Sequence, residues 1–317
     1  MPGPNLVQVS LLPSGFLTLP EHVFCSDQHD KSVRNLVPSM SFLLQHSGSK
    51  TKIVFDLGLR KNLAAYPSNI HPHLKTRQPI HTRPDVTQSL QKGGVEPEDI
   101  DVIILSHVHY DHVGDPRCFT RATFVVGYGT RHLLEHGMKY HSAAHFENDL
   151  LPPERTIELP IQAVLPPHTN MVEQSLPSTS SLDRLVPDTA HSWQRLPPFD
   201  NAIDLFGDGT FYIIDSPGHL VGHLNVLVQV AAGQWIYLAG DACHHTRILD
   251  GSTTMATWEE NGQEVCIHAD KDLAFDTVKR IQLLQKKGFR GGKVDIVLAH
   301  DAKWYQEHQD AIWPNCI

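Results

Sequence analysis

The sequence predicts an α/β protein, on three observations. Short apolar runs rich in β-branched residues recur through both halves of the chain and read as buried strands. Several of these runs stop abruptly at a histidine or an aspartate. Residues 269–287 carry a helical pattern: Asp270 or Asp272 can cap it, Leu273, Val278, Ile281 and Leu284 fall near one face, and Lys286-Lys287-Gly288 closes it in accord with the helix dipole. That helix is expected to pack on a sheet and is assigned no chemistry.

Taken in order, residues 7–12 and 16–19 predict a hairpin about Pro13-Ser14-Gly15, and 40–46 with 51–56 a second hairpin across 47–50. Residues 60–84 hold four prolines and no period, so they read as a long loop, a lid or binding segment, with His71, His73 and His81 exposed. A short helix follows over 85–92, stopped by Gly93-Gly94, and then a strand over 102–105. Residues 122–126 predict a strand and 130–136 a short helix. The Pro- and Ser-rich stretch 145–199 reads either as a plain surface insertion or as a lid or dimer-contact arm, with Trp193 and Phe199 as candidates for pocket contact. Beyond it, 203–206 and 211–215 form a hairpin about Gly207-Asp208-Gly209, and 224–230 pairs with 234–239. The tail from 302 to 317 predicts a helix folded back on the body.

The chemistry concentrates in residues 101–115. The strand over 102–105 runs into His107, His109, Asp111 and His112, four potential metal ligands within six residues. In extended backbone His107 and His109 point to one side, so both imidazoles can meet one ion. Asp111 and His112 lie past the strand end, where a turn can aim them at a second.

Ser106-His107-Val108-His109-Tyr110-Asp111-His112 resembles the His-X-His-X-Asp-His signature of the metallo-β-lactamase superfamily. The resemblance implies a four-layer αβ/βα sandwich with two mixed sheets, outer helices and two metals at one edge. It also implies a later His, Asp and His, which this sequence supplies as His219 after 211–215, Asp241 after 235–239 and His300 after 294–298. It spans roughly 41–300 and is consistent with one domain over 1–317 carrying the lid and the insertion. By the family pattern His107, His109 and His219 hold one ion, Asp111, His112 and His300 the second, and Asp241 bridges them. Asp56, in Phe55-Asp56-Leu57-Gly58, is implied as an outer residue that accepts from a metal-bound histidine and fixes its tautomer. Mixed imidazole and carboxylate donors favour zinc over magnesium or calcium, giving an expectation of two zinc ions per chain. Two such ions can share a water and ionise it near neutral pH.

The run Asp241-Ala242-Cys243-His244 and the pair Asp115-Pro116 are most similar to the N-acyl-homoserine lactone lactonases of the superfamily. Where that group has a tyrosine three residues after the bridging aspartate, this chain has His244. Asp111 and His244 are therefore the expected catalytic side chains, His244 as a hydrogen-bond or proton donor. The expected activity is opening of a cyclic ester or cyclic amide by a metal-bridging hydroxide. A γ-lactam or cyclic-carbamate hydrolase acting on a small aromatic compound, or a thioesterase, stands as the alternative. A catalytically idle protein of the same fold, kept as a binding or scaffold module, is the competing class, and the complete ligand set argues against it.

Composition narrows the partners to a small molecule. A formal net charge of −9 argues against a nucleic-acid partner, which needs a basic face. No basic start or continuous apolar core marks a secretory leader, and no run reaches the length of a membrane span. Five widely spaced cysteines without a Cys-x-x-Cys pair suggest reduced thiols in a cytoplasmic protein. Assembly as a homodimer stays open.

Overall fold

The computed structural model describes residues 5–138, 146–160, 192–260 and 262–317. Its first sheet runs in the order β1 (Val7–Pro20), β2 (Arg34–His46), β3 (Lys52–Phe55), β4 (Val102–Ile104), β5 (Thr123–Val126) and β6 (Thr156–Glu158). It is antiparallel from β1 to β3 and parallel from β3 to β6. The second half of the chain supplies β7 (Gln194–Leu196), β8 (Phe199–Asp204), β9 (Phe211–Asp215), β10 (Leu224–Ala231) and β11 (Gln234–Leu238). A separate hairpin, β12 (Thr257–Glu260) and β13 (Gln263–Cys266), precedes β14 (Lys293–Val297), which pairs parallel with β11. The second sheet therefore reads β14-β11-β10-β9-β8-β7. The helices are α1 (His71–Lys75), α2 (Val86–Lys92), α3 (Thr130–His136), α4 (Thr246–Leu249), α5 (Lys271–Lys287) and α6 (Ala302–Glu307).

Period-two alternation sorts the strand residues into layers. Ile53, Phe55, Val102 and Ile104 join Phe211, Ile213, Val226 and Leu238 in a core between the two sheets. Their neighbours Val54 and Ile103 face the other way, onto Val86 and Leu90 of α2 and Leu133 of α3. On the far side of the second sheet, Tyr212, Leu227 and Tyr237 meet Val278, Ile281 and Leu284 of α5. Helices, sheet, sheet and helices make the predicted four-layer αβ/βα sandwich, and both faces of each central strand are apolar because both are covered.

The hairpin expected at 7–19 is instead one strand. Both halves of β1 pair with β2, with a register shift between Pro13 and Phe16. Gly15, at φ 103, lets the chain bulge there without turning back. Residues 60–84 are not a structureless loop, since they hold α1 and two single-turn 3₁₀ segments, and His73 is buried rather than exposed. Part of the expected insertion is sheet: β6 closes the first sheet and β7 the second, each too short to show a period. Residues 161–191, where a lid or dimer arm was expected, lie outside the described residues. Trp193 and Phe199 do not line the cavity beside the metal-ligand candidates. Trp193 joins the core between the sheets and donates to Pro160 C=O, and Phe199 stacks on Tyr237 with 5.4 Å between ring centroids. The tail is helical over α6 and a single 3₁₀ turn at Gln309–Ala311 rather than throughout.

After α6 the chain runs along β1, where Trp313 N–H donates to Leu11 C=O and Ile317 N–H to Val9 C=O. Further along β1, Phe16 exchanges both backbone hydrogen bonds with His81, and Thr18 N–H donates to Arg77 C=O. Among the described residues no helix is long and apolar enough to cross a membrane.

Candidate metal centre

Strand ends position the site. Asp56 follows β3, His107 follows β4, His219 follows β9, Asp241 follows β11 and His300 follows β14. These ends lie on one rim of the sandwich, where open α/β sheets place their ligands. A tight turn after β4, with His112 N–H donating to His109 C=O, carries Asp111 and His112 back over the same rim.

All seven residues expected from the sequence converge. His107 Nε2 and His109 Nδ1 are 2.9 Å apart, and His219 Nε2 stands 3.2 Å from the first and 3.0 Å from the second. Three ring nitrogens aimed at one another cannot all be satisfied by mutual hydrogen bonds. A tetrahedral ion bound at ordinary zinc–nitrogen lengths places such nitrogens about 3.3 Å apart. Ligand atoms of Asp111, His112 and His300 form a second group within 4.8 Å of one another. Asp241 faces both groups: Oδ2 is 3.5 Å from His219 Nε2 and 3.8 Å from His107 Nε2, while Oδ1 is 3.3 Å from His112 Nε2 and 3.4 Å from His300 Nε2. His112 Nε2 and Asp241 Oδ1 are buried without a hydrogen-bond partner. Buried polar atoms are rarely left so, because the desolvation cost goes unrepaid. The donor chemistry, the convergence and these two orphaned atoms fit a pair of divalent ions.

Electrostatics agree with that fit. Burial, reinforced by the neighbouring imidazoles, holds His107 and His219 well below the usual histidine range, so both rings are neutral and offer a lone pair. Burial would raise the Asp241 carboxyl, but His112, His300 and His244 together hold it well below the carboxylate range. Burial likewise opposes charge on His112, and the carboxylates of Asp241 and Asp56 outweigh it and raise that ring well above its ordinary value.

An outer ring of contacts orients the inner one. His112 Nδ1 lies 2.8 Å from Asp56 Oδ2, and Asp56 is itself held by Ser106 N–H and Oγ–H at 2.6 and 2.7 Å. His300 Nδ1 lies 2.8 Å from Pro38 C=O. His223, which sequence reasoning missed, is driven down to about 4 by burial. The neutral ring donates from Nδ1 to Ser216 C=O at 3.0 Å and accepts from Asp241 N–H at Nε2 at 3.1 Å. His268, also missed, places Nδ1 3.2 Å from His219 Nδ1. Neither histidine follows an apolar strand in a recognisable pattern, and His268 sits just past the short β13, so no local signal marks it. His244 brings Nε2 to 3.1 Å from Asp241 Oδ2 and packs its ring on Phe24 at 4.6 Å.

The helix assigned no chemistry from the sequence anchors one ligand. Asp270 caps α5, its N–H donates to Gly218 C=O, and Ala269 N–H donates to His219 C=O. Gly218 has φ +122, and a Cβ there would fall 2.1 Å from Ala274 N, in the first turn of that helix. Gly218→Ala is expected to cost about 3 kcal/mol, the scale of forced overpacking, read from a urea unfolding midpoint. An unchanged midpoint would show that the loop bearing His219 shifts freely.

A narrow cleft opens over the cluster, lined by His109, Asp111, His219, Asp241, His244 and His300 and walled by Leu19, Phe24, His73, Arg77, Tyr110 and Ile267.

A family model described as the metallo-beta-lactamase superfamily matches residues 34–244. Among curated proteins the chain is similar to "Cytochrome P450 monooxygenase mpaDE" of Penicillium brevicompactum, 28% identical over 322 residues that cover 95% of this chain and 34% of that protein. It is also similar to gamma-lactamase FDB1 of Fusarium pseudograminearum (strain CS3096), 29% identical over 215 residues, 65% of this chain and 45% of that one. The chain thus spans about a third to a half of the length of these relatives. Among solved structures it is similar to a variant of B. thuringiensis AiiA with N-decanoyl-L-homoserine bound at the active site, with a TM-score of 0.64, 18% identity, and coverage of 98% of this chain and 99% of that one. Likeness at that identity speaks to the fold.

Proposed function

The chain belongs to the metallo-β-lactamase superfamily, and on that premise we propose that it is a dinuclear metal hydrolase that opens a cyclic ester or cyclic amide. The observation that carries the reading is Asp241, whose two carboxylate oxygens each face a separate group of imidazoles. His107, His109 and His219 would hold one ion, Asp111, His112 and His300 the other, with Asp241 between them. Zinc suits these donors, and bound there it would lower the pKa of a water and polarise a carbonyl.

The chain's own residues supply the rest. Asp56 accepts from His112 Nδ1 and so holds Nε2 of that ring turned toward Asp241, where an ion would take the place of a proton. Pro38 C=O does the same for His300. Leu19, Phe24 and Ile267 shed water from one side of the cavity, which strengthens every charge contact within it. His244, beside Asp241 at the cavity wall, donates its Nε2 proton toward the oxygen or nitrogen released when the ring opens. A nitrogen leaving group needs that proton more than an oxygen does, so His244 favours a γ-lactam or cyclic carbamate. The similarity to a protein named as a gamma-lactamase points the same way.

A ring-opening assay of the zinc-supplied protein across lactones, γ-lactams, cyclic carbamates and thioesters is expected to rank cyclic esters or amides first. A protein that binds zinc and leaves all four classes intact would overturn the proposal. Preference for the thioester would move it to another branch of the superfamily.

A further inference from the structure

Arg77 is a buried cation with no carboxylate at ion-pair distance among the described residues. Its side chain is only 9% exposed, it lines the cavity over the ligand cluster, and it forms no ion pair with any described carboxylate. Its side chain makes a 3.0 Å donation from Nη1 to the hydroxyl of Thr76, a neutral partner, and Tyr110 shares the cavity wall with it. The other deeply buried arginine, Arg60, shows what a satisfied one looks like: it pairs with Glu147 at 2.6 Å and donates to the carbonyls of Gly114 and Ala65. Burying a guanidinium is costly unless it is paired, so an unpaired one at a cavity wall marks a place for an anion. Backbone bonds hold Arg77 there, with Thr18 N–H donating to its carbonyl and its own N–H donating to Leu74 C=O. Leu19, Phe24 and Ile267 make the apolar part of the same wall.

We propose that Arg77 is a specificity residue that binds a carboxylate on the substrate, remote from the carbonyl that is cleaved. The compound taken is then a small anionic ring rather than a neutral one, its apolar body against Phe24 and Ile267 and its charge on the guanidinium, which matches a carboxylate with two parallel N–H donors. This inference rests on the hydrolase reading of the cavity and adds the charge of the substrate to it.

The test compares a γ-butyrolactone carrying a ring carboxylate with the same lactone as its neutral primary amide, on the zinc-loaded full chain. The wild type is expected to favour the carboxylate by roughly 10- to 100-fold in kcat/KM, the scale of a charge-assisted contact. Arg77→Gln brings that ratio close to one, Arg77→Lys keeps part of it, and Lys279→Gln, the same loss of charge on the exposed face of α5, leaves it unchanged. Circular dichroism and the thermal midpoint of each variant establish that it is folded, and Arg77→Lys carries the test if the glutamine variant is not. If the wild type opens neither compound, the four-class assay above decides the hydrolase proposal separately, and calorimetric binding of the same two compounds to wild type and variants decides the role of Arg77. A wild type that does not distinguish the pair, or an Arg77→Gln variant that still prefers the carboxylate, overturns the inference.

Discussion

Asp241→Asn is expected to lower kcat/KM for ring opening by roughly a thousand-fold, the upper range for removing one preorganised electrostatic group, while the protein stays folded. The carboxylate is the single side chain placed against both groups of imidazoles, with His112 and His300 on one oxygen and His219 and His107 on the other. The amide keeps the volume but removes the negative charge, and it turns one acceptor into an NH₂ that points its hydrogens at ring nitrogens. One of the two clusters must then lose its fourth partner. Metal analysis of the purified variant should show fewer ions per chain than the wild type, so the loss of rate has a cause that can be measured apart from it. Wild-type metal content together with wild-type kcat/KM would remove Asp241 from the centre of the mechanism.

Stripping the metals is expected to lower the thermal midpoint by about 8 °C. A ligand present at a thousand times its dissociation constant stabilises the native state by about 4 kcal/mol, and a chain of this size moves by roughly 2 °C per kcal/mol. The reason lies in the burial of the cluster. His107, His109, His112, His219, Asp241 and His300 are all buried, and among them His112 Nε2 and Asp241 Oδ1 face each other at 3.3 Å without a formed hydrogen bond. Without an ion these groups carry their desolvation cost uncompensated. Chelation followed by differential scanning calorimetry reads the drop, and added zinc should restore the midpoint. The difference should shrink as pH falls through the ordinary imidazole range, because protons compete with the ion for the same nitrogens. A midpoint indifferent to chelator and zinc would mean that these side chains stabilise one another without metal.

Much of this was legible in the sequence because the site is built from strand ends. A run such as 102–105 is apolar on both faces, so its abrupt stop at His107 is conspicuous, and the same signature repeats before His219, Asp241 and His300. The long helix was legible for a different reason, since its cap at Asp270 and its stop at Gly288 are both local chemistry. What was hidden depends on distant parts of the chain. Residues 13–15 have turn composition, and only the length of β2 shows that β1 passes straight through them with a bulge. β6 and β7 are three residues each, and a neighbouring strand defines them more than their own composition does. His73 and Arg77 lie in a proline-broken stretch whose polarity suggested exposure, yet α1 turns His73 inward against Tyr110 and Arg77 is buried just past its end. His223 and His268 were hidden among 22 histidines, and only their placement around Asp241 and His219 separates them from the rest.

β1 is the outermost strand of its sheet, and such a strand ordinarily offers a row of free donors and acceptors to any other extended chain. Here the row is taken up from within the molecule. Backbone from 313–317 meets its first half, and backbone from 77–81 meets its second. Continuous sheet growth from one copy into the next is blocked along that border, so any two-copy assembly that uses this side of the protein has to be built from side chains rather than from a shared ladder.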